Sequence, residues 1–264
     1  MSIPRGHIDL EEMGDEIANT GFQAAWLKNP DLVTQGPRWE LASCGSGCHC
    51  GPECDLCFAF AKELLALKKG QKLKPVAPKP ENLEQPFRWK KRKNAFACPE
   101  GDLFHKNIPD AFVLEAFKVM RKCVQHNFVM TTKRPENLYP LEGMDHTNVF
   151  VGVSIGVQDN MDRANALLEL PDNFYKVLFL APMLTHMVLP RKVLRGIDWI
   201  VCSPERGGKG RKPRPCPEEW LVDLIKQVKS FDSNLPFFLD VPFVKERVIR
   251  LGGKYMEIPA ALAE

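Results

Sequence analysis

The chain has 264 residues, 44% of them hydrophobic and 26% charged, with a formal net charge of +3. That size and apolar content suit one α/β domain or two small ones, and a charge so close to balance gives no reason by itself to expect a polyanionic partner. The longest apolar stretches, 177–182 and 198–202, are strand-length and too short to span a membrane, and no basic-then-apolar leader follows Met1, so no membrane partner and a cytoplasmic location are expected.

Residues 1–38 carry mixed charge and three prolines and read as an N-terminal extension, with one short helix near Leu10–Ala18. The domain proper is expected over 39–264. Trp39–Ser43 has the pattern of a first strand, and it leads into a cysteine loop at 44–57. Five of the nine cysteines lie in that loop, and three form Cys50-Gly-Pro-Glu-Cys54-Asp-Leu-Cys57, a C-x3-C-x2-C run. Thiolates are soft ligands for iron–sulfur clusters and for zinc, and a tight loop can aim three at one centre. Three cysteines on a 4Fe–4S cluster leave one iron open to a substrate or cosubstrate, which makes a redox enzyme the leading reading. A structural zinc site is the main rival, because Cys44, Cys48, His49, Cys50, Cys54 and Cys57 hold more than four donors. A disulfide framework fits short secreted chains better than this one.

From Phe58 to Leu67 helix formers carry apolar residues three to four apart, and Lys68-Lys69-Gly70 is a helix stop. Residues 71–86 hold four prolines and read as a connector. Asn94–Cys98 is the second strand; a loop then leads to a helix capped by Asp110, with an apolar face at Val113, Phe117, Met120 and Val124. Strands follow at 127–132, 148–155, 175–180, 198–202 and 236–241, with helices at 158–170 and 218–229. Short β-rich runs alternating with helices argue for an α/β fold on a parallel sheet of six to seven strands, as a barrel or a doubly wound sheet. In both, ligands bind at the carboxyl ends of the strands.

That rule places the candidates. The cysteine loop, Asp102 and His105, Lys133 and Arg134, Ser154, and the 203–210 segment all follow strand ends. Asp102 and His105 suit a substrate hydrogen bond or proton transfer; the structural alternative is that Asp102 stabilises its own loop. Lys133 and Arg134 suit a carboxylate or phosphate, or else are a solvated pair before Pro135. Ser154 and Gln158 are candidates for contact with a cosubstrate. Two basic clusters, Arg88–Lys93 around Trp89 and the 209–214 stretch, suit a nucleic acid; taken singly, each is more simply a solvated charge run.

With these segments in place the chain resembles a phage and bacterial three-cysteine-motif family of radical-SAM-like iron–sulfur proteins. The resemblance runs from about Trp39 to Val241. It rests on Phe87-Arg88-Trp89-Lys90, Asp102-Leu103-Phe104-His105, Pro109-Asp110, Thr132-Lys133-Arg134-Pro135-Glu136, Asn148 to Ser154, Asp198-Trp199-Ile200-Val201 and Pro236-Phe237-Phe238. It implies a partial (β/α) TIM-like barrel and a 4Fe–4S cluster on Cys50, Cys54 and Cys57. It also implies S-adenosyl-L-methionine at the open iron and a flavodoxin- or ferredoxin-like electron donor. The implied reaction generates a 5′-deoxyadenosyl radical that modifies an unassigned substrate, for which the basic clusters suggest nucleic acid. The alternative function is a zinc-stabilised, non-catalytic nucleic-acid-binding phage protein.

The chain departs from the family pattern in four places. Cys48 competes with Cys50 as first ligand, and Leu180-Ala181-Pro182 lacks a usual carboxylate. Glu205, which the resemblance implies as a cofactor-binding residue, matches only with a shift, and Asp240 stands where relatives often carry lysine.

Overall fold

The computed structural model describes residues 37–43, 45, 65–72, 74–205, 212–239, 259 and 262. The expected helix at Leu10–Ala18, the cysteine loop from Cys44 to Cys57 apart from Gly45, the residues 206–211 and Asp240 lie outside the described residues.

Seven parallel strands form one sheet: β1 (Arg38–Trp39), β2 (Asn94–Ala97), β3 (Asn127–Thr132), β4 (Val149–Ser154), β5 (Tyr175–Met183), β6 (Trp199–Pro204) and β7 (Phe237–Leu239). They neighbour each other strictly in chain order, every pair is parallel, and the sheet is not closed. A doubly wound sheet reverses its order at a switch point; this one does not, so the architecture is a partial (β/α) barrel. Residues 65–68 are helical, and among the described residues after β2 the α-helices are α1 (Asp110–Lys122), α2 (Asn165–Leu168), α3 (Arg191–Gly196) and α4 (Glu218–Phe231).

Alternation along the strands sorts the core into two clusters. Ala95, Phe128, Met130, Val151, Leu178, Ile200 and Phe237 pack with Phe117 and Met120 of α1 and with Leu224 and Val228 of α4. Phe96, Val129, Phe150, Val177, Phe179, Trp199, Val201 and Phe238 form the other cluster, in the barrel interior. Leu262 joins this interior cluster, and its carbonyl accepts from Asn94 Nδ2 at 2.9 Å beside the Asn94–Asn127 side-chain bond of 2.8 Å. These bonds tie Leu262 to the first residues of β2 and β3. At Gly152 a Cβ would lie 2.4 Å from the Phe179 ring, so glycine is what lets that ring cross β4 inside the barrel.

Several element expectations need correction. Asp110 is the first helical residue and Pro109 the cap; the Asp110 carboxylate instead accepts from Tyr139 Oη at 2.7 Å. Val124 lies beyond the end of α1 and is 66% exposed, because the chain leaves the helix at Cys123, which takes the buried position. The 158–170 stretch is a 3-10 helix over Gln158–Ala164 followed by the short α2. Helix α3, between Pro190 and Ile197, was not anticipated at all. The 71–86 connector carries no long element but is pinned: Ala42 bridges Pro78, and Trp39 Nε1 donates to Asn82 O at 2.7 Å.

Candidate functional site at the carboxyl mouth

Because all seven strands run the same way, their carboxyl ends share one mouth. Arg38 and Glu40 flank the buried Trp39 at the first strand. Arg38 Nη2 donates to Glu100 Oε1 at 2.8 Å and to Glu40 Oε1 at 3.3 Å, joining the ends of β1 and β2. Burial, reinforced by Glu100, pushes the Glu40 carboxyl above the usual range, against the pull of Arg38 and Lys79. Its second oxygen, Oε2, is buried and has no hydrogen-bond partner among the described residues. Cys98, at φ 54°, follows β2, and burial raises its thiol far above the ordinary value, so it is held as the neutral thiol.

The Asp102 carboxylate is fully engaged. It accepts from Phe104 N at 3.0 Å, from Thr132 Oγ1 at 2.9 and 3.0 Å, and from Arg134 Nη1 at 2.8 Å. Thr132 Oγ1 in turn accepts from Arg134 N at 2.9 Å. His105 is buried and accepts from Asn107 N through Nδ1 at 3.1 Å, which places its ring proton on Nε2 when neutral. Among the described residues no hydrogen bond joins the Asp102 and His105 side chains. Asp102 thus ties the loops after β2 and β3 together, and Arg134 is ion-paired rather than presented to an anion. Lys133 is half-buried, two residues beyond Thr131 at the end of β3. Thr131 Oγ1 is buried with no hydrogen-bond partner among the described residues, and its strand position pairs with Gly152.

Across the mouth, Ser154 Oγ donates to Ala181 O at 2.9 Å, and Arg163 Nη1 donates to Ser154 O at 3.3 Å. The Gln158 amide grips Val188 at both ends, accepting from its N at 2.8 Å and donating to its O at 3.3 Å. Glu205 is buried and holds Arg214 through the arginine's backbone N at 2.8 Å, Nε at 2.9 Å and Nη2. These side chains shape the rim by clamping loops.

A family model described as "Protein of unknown function (DUF5131)" matches residues 41–247. The chain belongs to this DUF5131 family. No curated protein and no solved structure matches it. The family span begins at Leu41, just after β1, and takes in the cysteine run and strands β2–β7.

Within that span, Cys50, Cys54 and Cys57, with Cys44, Cys48 and His49, lie outside the described residues. Among the described residues no three His, Cys, Asp or Glu side chains group to hold a metal, and no helix is long and apolar enough to cross a membrane. Arg88–Lys93 precedes β2, at the pole opposite the mouth, and its Trp89 packs inward on His126 at 5.2 Å and Phe128 at 6.2 Å. Of the second basic stretch only residues 212–214 are described, and they follow the mouth end of β6; 209–211 lie outside the described residues. Sequence reasoning missed Glu40 and Thr131. A charge on each side of Trp39 in a buried first strand was a readable signal; Thr131 left none.

Proposed function

We propose that the chain is a radical S-adenosylmethionine-type iron–sulfur enzyme, with Cys50, Cys54 and Cys57 as the ligands of a 4Fe–4S cluster. The observation that carries the reading is the C-x3-C-x2-C run, which follows β1 in sequence, in a chain whose β1 ends at the carboxyl mouth of an open parallel barrel. The donor set suits that cluster, and the mouth keeps a buried hydroxyl, Thr131 Oγ1, and a buried carboxyl oxygen, Glu40 Oε2, that a polar ligand would satisfy. When bound, such a cluster supplies the electron that splits the carbon–sulfur bond of S-adenosylmethionine.

The chain's own residues orient and protect. Thr131 and Lys133, two residues apart at the end of β3, would meet the ligand on one face, and His105, in the loop after β2, would serve a hydrogen bond or proton transfer. Asp102 acts as a positioning residue through Thr132 and Arg134. Ser154, Gln158 and Glu205 hold the rim loops around the cosubstrate. Glu40, kept more basic by burial, is suited to proton exchange at the mouth. A flavodoxin- or ferredoxin-like donor and a nucleic-acid substrate belong to the same proposal.

The test is anaerobic protein incubated with a low-potential reductant and S-adenosylmethionine. The expected result is 5′-deoxyadenosine, lost in Cys54→Ala. A protein that holds a reducible cluster yet yields none contradicts the catalytic reading. A protein that holds one tightly bound zinc supports the zinc-stabilised, non-catalytic alternative.

A further inference from the structure

We infer that the amino-terminal pole of the barrel, opposite the mouth, is a docking surface for single-stranded nucleic acid. The inference extends the nucleic-acid part of the proposed function and requires no cluster chemistry. Two segments distant in sequence meet there. Trp89 packs edge-on against His126 at 5.2 Å, Lys93 N donates to His126 Nδ1 at 3.2 Å, and Asn127 N donates to Lys93 O at 2.8 Å. These contacts bring the segment that carries the exposed Arg88, Lys90, Lys91 and Arg92 to the same pole as the exposed Arg121 and Lys122 at the end of α1.

Among the described residues, Arg88, Lys90, Lys91, Arg121 and Lys122 make no ion pair. The nearby acids on the same connector are Glu81 and Glu84, too few to neutralise them. Cations at a helix carboxyl end offset its dipole, which explains Arg121 and Lys122. It does not explain Arg88, Lys90 and Lys91, which sit on and after a 3-10 turn.

Two large apolar side chains are exposed at the same pole: Phe87, 50% exposed, and Val124, 66% exposed. The 3-10 turn Gln85–Arg88, anchored by buried Pro86, fixes the Phe87 backbone while Trp89 turns inward. An exposed ring beside Arg88, Lys90 and Lys91, which make no ion pair among the described residues, is the pattern that stacks bases and tracks phosphates. A membrane surface requires a broader apolar face than one ring and one valine. The six residues of β3 put this pole roughly 20 Å from the mouth, a span that a strand of several nucleotides covers.

The test is fluorescence anisotropy of the full chain with labelled oligo-dT and oligo-U of about twenty nucleotides, beside phosphatidylserine vesicles, with circular dichroism confirming the fold of each variant. The combined variant Lys90→Glu, Lys91→Glu, Arg121→Glu is expected to bind at least about tenfold more weakly. Its salt slope should fall by about two, because three phosphate contacts are lost. Phe87→Ala should weaken binding roughly fivefold with the slope unchanged, and Lys226→Glu on α4 should bind as the unmodified protein. The proposal is overturned if the triple variant binds oligonucleotide normally, if Lys226→Glu weakens binding equally, or if the unmodified protein binds vesicles but neither oligonucleotide.

Discussion

Arg134 donates from Nη1 to Asp102 Oδ2 at 2.8 Å, across thirty-two positions of sequence, and so locks the loop after β2 to the loop after β3. Both side chains are largely buried, with 12% and 9% of their surfaces exposed. A buried ion pair gives little net stability over an apolar pair, but breaking one side leaves a charge without compensation.

Asp102→Ala should therefore lower the free energy of unfolding by about 3–5 kcal/mol, measured by urea denaturation. Replacing both partners, as Asp102→Leu with Arg134→Met, should recover much of that loss. Equal losses in the single and double variants would show that the pair does not act as a unit.

Gly152→Ala places a methyl against the Phe179 ring. The clash should cost about 1–3 kcal/mol, and Phe179→Leu introduced alongside it should restore part of the loss. A thermal melt reads both. An unchanged midpoint in Gly152→Ala would mean that the ring does not lie across β4.

His146 is buried between Phe117 at 5.3 Å and Phe174 at 5.4 Å, and its Nδ1 has no hydrogen-bond partner among the described residues. Burial, aided by Arg121, holds its proton affinity below the usual imidazole value of 6.5. The unfolded chain then binds the proton more tightly, so this contribution to stability is full above about pH 6.5 and lost as pH falls. His126 is lowered by burial as well and acts in the same sense. Glu40, raised by burial, acts oppositely near its own range. His146→Phe should accordingly flatten the loss of stability between about pH 7 and 5; an unchanged slope would remove His146 as the cause.

Much of the fold was legible because the strands carry their own signal. Asn127–Thr132 reads as a strand residue for residue, since Phe128, Val129, Met130 and two threonines sit between the turn at 124–125 and Lys133. The 158–170 helix was misread in kind because Asp159, Asn160 and Asp162 support turns as readily as α-helix. Helix α3 has too few residues for a period to show. At the site, the strand-end rule located Asp102, His105 and Lys133, but not what Asp102 binds. Its partners Thr132 and Arg134 come from the end of the next strand and the loop after it, and only register brings them together. The pole formed by Phe87, Lys90 and Arg121 was equally hidden, because it joins a connector to the far end of a helix.

Cys50→Ala, Cys54→Ala and Cys57→Ala should each abolish iron binding, while Cys44→Ala should leave it intact. Iron analysis of the anaerobically isolated variants reads this. Full loading without Cys50, with loss in Cys48→Ala, would move the first ligand to Cys48.

The central claim concerns the metal, and the metal content of the anaerobically purified full chain tests it most directly. About four irons per chain, with sulfide and a broad absorption near about 400 nm, is the predicted result. A colourless protein carrying one zinc and no iron would contradict it.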